Sequence, residues 1–512
     1  MKTLEDLTAN KPAAEAASPV WAGGMTAIVI IAGLVLRWAN LGRESLWFDE
    51  GYTAWAVSNP VHEIVRIIRV DTAPPLFYLL LAGWTHLFGF SESALRSMSA
   101  LMASIGLLFY VAIARRMFKS PWVTLLAISL FSFSFMQISY AHEARFYAMM
   151  TMMAAIDLYL VLLVSERSSV TRLILLSAAW TISLWTNNMM AIYLAGLGIG
   201  WLVLPGNRSL KGRICDALFV SIVAALAFSP WLPTMLAQTR RIRGGFWPST
   251  PDGWQLASTI GMLFGINQQG LMGMDLRGFL AVDFAIGGLG LFACISSTGR
   301  RYAIALFSFG VLPILLIFFY SRVGQSIFTE RAFLASGVAL PLLATLPIEA
   351  ARINRKLSMV IVCGLLVLTV KSLPDHRLGE HPESWRQACA YVQTTTPHHR
   401  LVICVASDGE PLYRYYACHR NYGPMTDVTA VPASFFALDP PRTLQQVKSD
   451  SDLDALRRQL TAGNYDEVDL IASHTWWGDH TERTLELLNS EMNQTDQKVF
   501  NGITVFRFGP AQ

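Results

Sequence analysis

Long apolar segments recur down the whole chain, at about residues 21–40, 95–114, 121–139, 146–164, 172–186, 188–204, 214–236, 279–297, 302–320, 332–348 and 357–373. A helix needs about 20 apolar residues to cross a bilayer, and several of these segments are shorter than that. In hydrocarbon the backbone must satisfy its own hydrogen bonds, so each such segment is read as a helix. Of the 512 residues, 53% are hydrophobic and only 15% charged, against about 25% charged in soluble domains. The expectation is a polytopic α-helical membrane protein of about 11 spans. The net charge of +4 gives no reason to expect a nucleic-acid partner. The first 20 residues are polar and Ala-rich and lack a basic region followed by a short apolar core. The Trp21 segment is therefore expected to remain as an anchor.

The loops set the topology. Arg115–Lys119, Arg167–Arg172, Arg208–Arg213, Arg300-Arg301 and Arg352–Lys356 are basic and fall at every second junction. The excess of Lys and Arg in cytoplasmic loops places all five inside. This holds only if Pro75–Phe90, apolar but short and opened by Pro74-Pro75, does not cross. It is read as a helix at the outer interface. The N-terminus is then cytoplasmic. The extracytoplasmic pieces are a first loop at 41–94, the Ser139–Arg145 turn, a loop at about 237–277, the Ser321–Arg331 turn and residues 374–512. A transmembrane domain at 1–373 is thus followed by a polar region at 374–512. There, apolar runs at 401–405, 468–472 and 503–506 read as strands, and Ser384–Thr394, Asp452–Leu460 and Glu482–Met492 as helices. That alternation predicts a small α/β domain. Without a Gly-rich phosphate loop, it is read as a lid or acceptor-docking domain. Cys215, Cys294 and Cys363 lie in apolar segments as packing residues, whereas Cys404 and Cys418 are candidates for a disulfide outside the cell.

The outer face gathers Asp49, Glu50, Asp71, Glu143, Arg145 and Arg331. Asp49 and Glu50 sit in Trp47-Phe48-Asp49-Glu50-Gly51-Tyr52, directly after the first apolar segment. An ionised pair there cannot lie in hydrocarbon. Asp71-Thr72-Ala73-Pro74-Pro75-Leu76-Phe77-Tyr78 follows about twenty residues later. Then come Phe88-Gly89-Phe90 with Arg96, and Tyr140-Ala141-His142-Glu143-Ala144-Arg145-Phe146-Tyr147. Over roughly residues 20–350 this pattern resembles the integral-membrane glycosyltransferases of the protein O-mannosyltransferase and aminoarabinose transferase type, which share the C-type fold. The resemblance implies a polyprenyl-phosphate sugar donor and a catalytic acid in the first outer loop, which would be Asp49. Glu143 stands where the family often has a second acid. Many relatives carry His or Lys before Pro-Pro. Here the residue is Ala73, which removes one candidate phosphate contact that the resemblance would imply.

Sugar transfer from a lipid phosphate needs a base for the acceptor hydroxyl and positive charge for the leaving phosphate. Asp49 is the candidate base, with Glu50 placed to position the acceptor or tune Asp49. Arg145 and Arg331 are candidates for the phosphate, since a guanidinium grips it bidentately. Arg240, Arg241 and Arg243 break the charge trend on the outer side and could meet a phosphate or headgroup. Tyr52, Trp55, Asp71, His142 and Tyr147 are candidate lining residues. Arg37 is read as snorkelling to the surface and Asp157 as a helix-packing acid. No cofactor is expected. A divalent metal through Asp49 and Glu143 is open, but no ligand spacing calls for one. The expected activity is that of an inverting hexosyl- or pentosyltransferase at the outer face of the cell or inner membrane. The acceptor would be a lipid, glycan or protein. A lipid or sugar transporter or flippase is the alternative from another class. It is disfavoured because most of the acids lie in outer loops and no internal repeat is evident. An inactive lipid-binding relative and a ligase with a pyrophosphate-linked donor complete the alternatives.

Overall fold

The computed structural model describes residues 14–243, 247–266, 276–350, 355–373, 383–423, 425–437, 447, 449–480 and 482–510. The polar N-terminal residues through 13, parts of the 237–277 loop, Arg352 of the last basic loop and the start of the C-terminal region at 374–382 lie outside the described residues. The chain divides into two compact units. One comprises Met1–Ala39, Ser99–His142 and Phe146–Arg377, the other Asn40–Met98, Glu143–Arg145 and Leu378–Gln512.

The first unit is helical. Of the chain's described helical segments, Trp21–Trp38, Glu92–Met117, Tyr147–Glu166, Leu210–Arg243 and Gly299–Val323 are long and apolar enough to cross a membrane. Pro121–Ser132 and Phe135–His142, bent by 56° at their junction, make a sixth if they form one span. Val170–Thr186, Met190–Val203 and Ser336–Glu349 are apolar but shorter. Leu76–Phe88, the core of the segment read as non-crossing, is a helix of 13 residues. At 1.5 Å per residue it is about 20 Å long, short of the hydrocarbon thickness.

Helices in this unit approach closely where side chains are small. A Cβ on Gly196 would fall 2.1 Å from the carbonyl oxygen of Ser308, so only glycine lets Met190–Val203 lie against that backbone. Arg37 departs from the snorkelling expectation. It is 1% exposed and donates to the carbonyls of Gly33 at 2.8 Å, Ser132 at 3.1 Å and Phe131 at 3.4 Å. The bend after Ser132 frees helix-end carbonyls that need donors, and the guanidinium supplies them. Asp157 accepts the Ser183 hydroxyl at 2.6 Å, tying neighbouring helices as a packing acid would.

The second unit joins the first loop to a five-stranded sheet. The strands are β1 (Arg400–Val405), β2 (Val428–Ala430), β3 (Glu467–Ser473), β4 (Met492–Phe500) and β5 (Ile503–Pro510), in the order β2-β1-β3-β5-β4. β1 pairs in parallel with β2 and β3, with Val402 opposite Val428 and Asp469. β5 is antiparallel to β3 and β4. Parallel neighbours require crossovers, and the helices Gly409–Tyr416 and Asp454–Gly463 lie within them. β4 and β5 are joined by Asn501-Gly502, with Gly502 at φ 72°, the residue pair that a tight hairpin turn favours. Leu401, Ile403, Val405, Val468, Leu470 and Phe508 are buried in the core beside the helical Leu456, Leu487 and Leu488. All six cysteines are free, so Cys404 and Cys418 form no disulfide in this structure.

Candidate functional site

The acidic motif opens a helix, Phe48–Val57. Its position is fixed from both ends of the sequence. A Cβ on Gly51 would sit 2.4 Å from Cγ of Leu412, so the helix lies directly on Gly409–Tyr416. The Tyr416 hydroxyl accepts from the Leu46 N–H at 2.6 Å and donates to Glu92 at 2.9 Å. Arg386 also reaches Glu92, at 2.6 Å.

The two adjacent carboxylates have different fates. Glu50 is 0% exposed. It holds Arg96 in a bidentate pair, at 2.8 Å from Nε and 2.5 Å from Nη2. It also accepts from the N–H of Ala144 at 2.8 Å and of Trp47 at 3.3 Å. Arg96 spends its remaining donors on the carbonyls of Leu41, Glu44 and Ser45, at 2.8–3.0 Å. This is a strut joining the first loop, the start of the Glu92–Met117 helix and the Glu143–Arg145 turn. Asp49, one residue earlier on the helix, is a quarter exposed, with Oδ2 at 3.9 Å from Nη2 of Arg145.

Arg145 is 5% exposed. Its Nη1 donates to the Tyr78 hydroxyl at 2.9 Å and to Thr53 Oγ1 at 3.2 Å. Tyr78 in turn donates to Asp71 at 2.7 Å. Burial first, and then the Asp71 charge against that of Arg145, keep both Tyr52 and Tyr78 well above the ordinary phenol range, so both remain neutral. Glu143 is buried at 3% exposure, and its carbonyl accepts the Arg145 N–H at 2.8 Å. Tyr52 and Trp55 pack edge-on against Phe435, with centroids 6.2 and 5.0 Å away.

Asp49, Glu50, Tyr52, Trp55, Asp71, Glu143 and Arg145 therefore belong to one unit. The other candidates lie in the helical unit. There, Arg331 stands over the rings of Tyr147 at 5.9 Å and Trp247 at 5.2 Å, the cation–π arrangement. His142 Nε2 is 2.9 Å from the Leu36 carbonyl. Arg240, Arg241 and Arg243 are exposed in the last turn of Leu232–Arg243. Among the described residues no three of His, Cys, Asp and Glu gather as metal ligands would. Sequence reasoning gave no role to Tyr78 and Arg96, although both stand in the quoted motifs. It missed Thr53, Glu383, Asp408 and His474, which are lone polar residues in no recurring pattern.

The pattern has counterparts among known proteins. Residues 72–233 match the family model of dolichyl-phosphate-mannose-protein mannosyltransferase. The chain also resembles the crystal structure of ArnT from Cupriavidus metallidurans bound to undecaprenyl phosphate. The TM-score is 0.55 at 12% identity, covering 94% of this chain and 98% of that one. The apo structure of the same ArnT gives a TM-score of 0.45 at 15% identity, covering 96% and 98%. No curated protein matches the chain in sequence. The resemblance drawn from the motifs is borne out: this is an integral-membrane protein with an ArnT-like helical fold and a small C-terminal sheet.

Proposed function

We propose that the chain is a glycosyltransferase that moves a sugar from a polyprenyl-phosphate donor to an acceptor hydroxyl at the extracytoplasmic face of the membrane. The observation that carries this reading is the pairing of a part-exposed carboxylate with a buried, oriented guanidinium, Asp49 and Arg145 at 3.9 Å. The mannosyltransferase match over 72–233 supports it. So does the fold shared with an ArnT whose structure holds undecaprenyl phosphate. Asp49 removes the acceptor's proton as its oxygen attacks the anomeric carbon. The bond to the phosphate oxygen breaks, and the electron pair leaves with the lipid phosphate. One displacement inverts the anomeric centre. Arg145, held by Tyr78 and Thr53, takes the charge growing on the phosphate; in the helical unit, Arg331 and the Arg240, Arg241, Arg243 group are candidates for a phosphate or headgroup of their own. Glu50 and Glu143 support the loop, and no cofactor is needed.

In this reading residues 1–373 form a membrane domain of about eleven spans with a cytoplasmic N-terminus, and 374–512 an extracytoplasmic α/β domain. Cysteines placed at Ser91 and Ser120, which flank the Glu92–Met117 helix, are expected to be labelled from opposite sides of intact membrane vesicles. Labelling from one side would sink this topology.

Activity is tested with purified protein and a panel of radiolabelled polyprenyl-phosphate hexoses and pentoses, following sugar transferred to membrane acceptors. Arg145→Lys keeps the charge but loses the planar fork that meets Tyr78 and Thr53. Its donor KM is expected to rise about tenfold, the worth of one charge-assisted hydrogen bond. Unchanged kinetics in folded protein would remove Arg145 from the phosphate site. Failure of every donor to react would remove the transferase reading.

A further inference from the structure

Asp49 has a second set of neighbours, all from the far end of the sequence. β3 ends at Ser473, and His474 follows at φ 50° and ψ 33°. This left-handed backbone is one that a non-glycine residue adopts only when its surroundings enforce it, and such residues concentrate at functional sites. The His474 ring lies 4.7 Å from that of Phe48, the residue before Asp49. Its Nε2 is 3.3 Å from Oε1 of Glu383. Glu383 is itself pinned. Its Oε2 accepts from the Trp385 indole at 2.6 Å, and its carboxyl accepts from the backbone of Phe48, the first residue of the Asp49 helix.

The surrounding charge is acidic. Asp49 raises the buried Asp408, which burial already pushes well above the usual carboxylate range. Burial likewise lifts Glu383 to about 7, with Asp49 and Glu50 adding to the rise. Burial lowers His474, so the imidazole is neutral near pH 7. The 3.3 Å contact with Glu383 occupies Nε2 and leaves Nδ1 for a second hydrogen bond, as acceptor or donor according to which of the pair holds the proton. Nδ1 is buried and has no partner among the described residues. Two residues on, Trp476 is 64% exposed with its ring 6.1 Å from His474.

We infer that His474, Glu383 and Trp476 form the acceptor subsite beside Asp49, and that the group bound there is an uncharged saccharide. The inference rests on Asp49 as the base. An orphaned ring nitrogen in an otherwise pinned group calls for a partner, and a sugar hydroxyl, which both donates and accepts, supplies it. The carboxyls of Asp49, Glu383 and Asp408 accept further hydroxyls, and the Asp49 charge repels a phosphorylated or carboxylated ligand. The cation near Asp49, Arg145, is taken by the donor. An exposed indole offers a flat apolar face to the C–H side of a pyranose ring while its N–H stays polar. Glu383 is a positioning residue: it fixes the imidazole and the first turn of the Asp49 helix together.

Binding tests this without a completed reaction. The full-length protein in lipid nanodiscs is probed by saturation-transfer-difference NMR with methyl α-mannoside, maltose and glucose 6-phosphate. The neutral sugars are expected to bind and the phosphorylated one not. His474→Ala and Trp476→Ala are expected to weaken binding about tenfold each, with undecaprenyl phosphate binding unchanged. Glu383→Gln is expected to weaken it less, since the amide oxygen still accepts from Trp385 or Phe48. Thermal melting checks folding, and Trp476→Ala, on the surface, keeps the test alive if the His474 variant fails to fold. Absence of saccharide binding, preference for glucose 6-phosphate, or equal binding by wild type and both alanine variants would overturn the subsite. The reading of Asp49 fails separately. Asp49→Asn that still transfers sugar would end it, whatever the binding result.

Discussion

Asp49→Asn is expected to lower sugar transfer by about 10²–10⁴-fold, the usual contribution of a positioned general base, with donor affinity retained. The substitution is nearly isosteric, so the Phe48–Val57 helix should be undisturbed. The hydrogen bond from Thr53 to this residue uses the Asp49 backbone carbonyl, at 2.9 Å, and survives. What is lost is a carboxylate that is a quarter exposed and 3.9 Å from Arg145. Arg145 keeps Tyr78 and Thr53, so the phosphate site should persist. The measurement is transfer and donor affinity on one purified preparation, with melting as the folding control. Near-normal transfer would move the base elsewhere, with Glu143 the next candidate. A parallel loss of donor binding would mean that Asp49 orients Arg145 and does not take the proton.

Much of the fold could be read from the chain, for reasons that also mark the limit of reading it. Apolar segments announce membrane helices because hydrocarbon leaves no alternative. The strands at Leu401–Val405, Val468–Ala472 and Ile503–Phe506 were legible because they are buried and β-branched. β4 was not. Its sequence, Met492–Phe500, is polar and mostly exposed, as an edge strand with a solvated face can be, so no apolar alternation marks it. β2 has three residues, too few to carry a period. In the site, Asp49 and Arg145 were legible as charges stranded at a membrane boundary. The division of labour between Asp49 and Glu50 was not. Adjacent residues on a helix point about 100° apart, and only the fold determines which one faces Arg96. Arg37 misled for a related reason. A basic residue at a span's end is ordinarily at the surface, and nothing in its own segment reveals the broken helix, Pro121–Ser132, whose carbonyls it satisfies.

Arg96→Met is expected to destabilise the loop-and-sheet unit by about 3–5 kcal/mol, the usual consequence of removing one partner of a buried ion pair. Glu50 would remain fully buried. Among the described residues it would keep the N–H groups of Ala144 and Trp47, and neither neutralises its charge. The carbonyls of Leu41, Glu44 and Ser45 would lose the donors that now fix the first loop. Glu50→Gln removes the charge together with part of the hydrogen bonding. It keeps one acceptor oxygen but turns an N–H group toward the donors of Arg96 or Ala144, so a smaller loss of about 1–3 kcal/mol is expected. Melting curves of the purified proteins should therefore rank wild type above Glu50→Gln above Arg96→Met. Transfer per folded molecule should fall far less in Glu50→Gln than in Asp49→Asn. If Arg96→Met melts with the wild type, the pair is not the strut described here. If Glu50→Gln melts normally and loses transfer as completely as Asp49→Asn, the two carboxylates act as one catalytic unit, and burial has misidentified the role of Glu50.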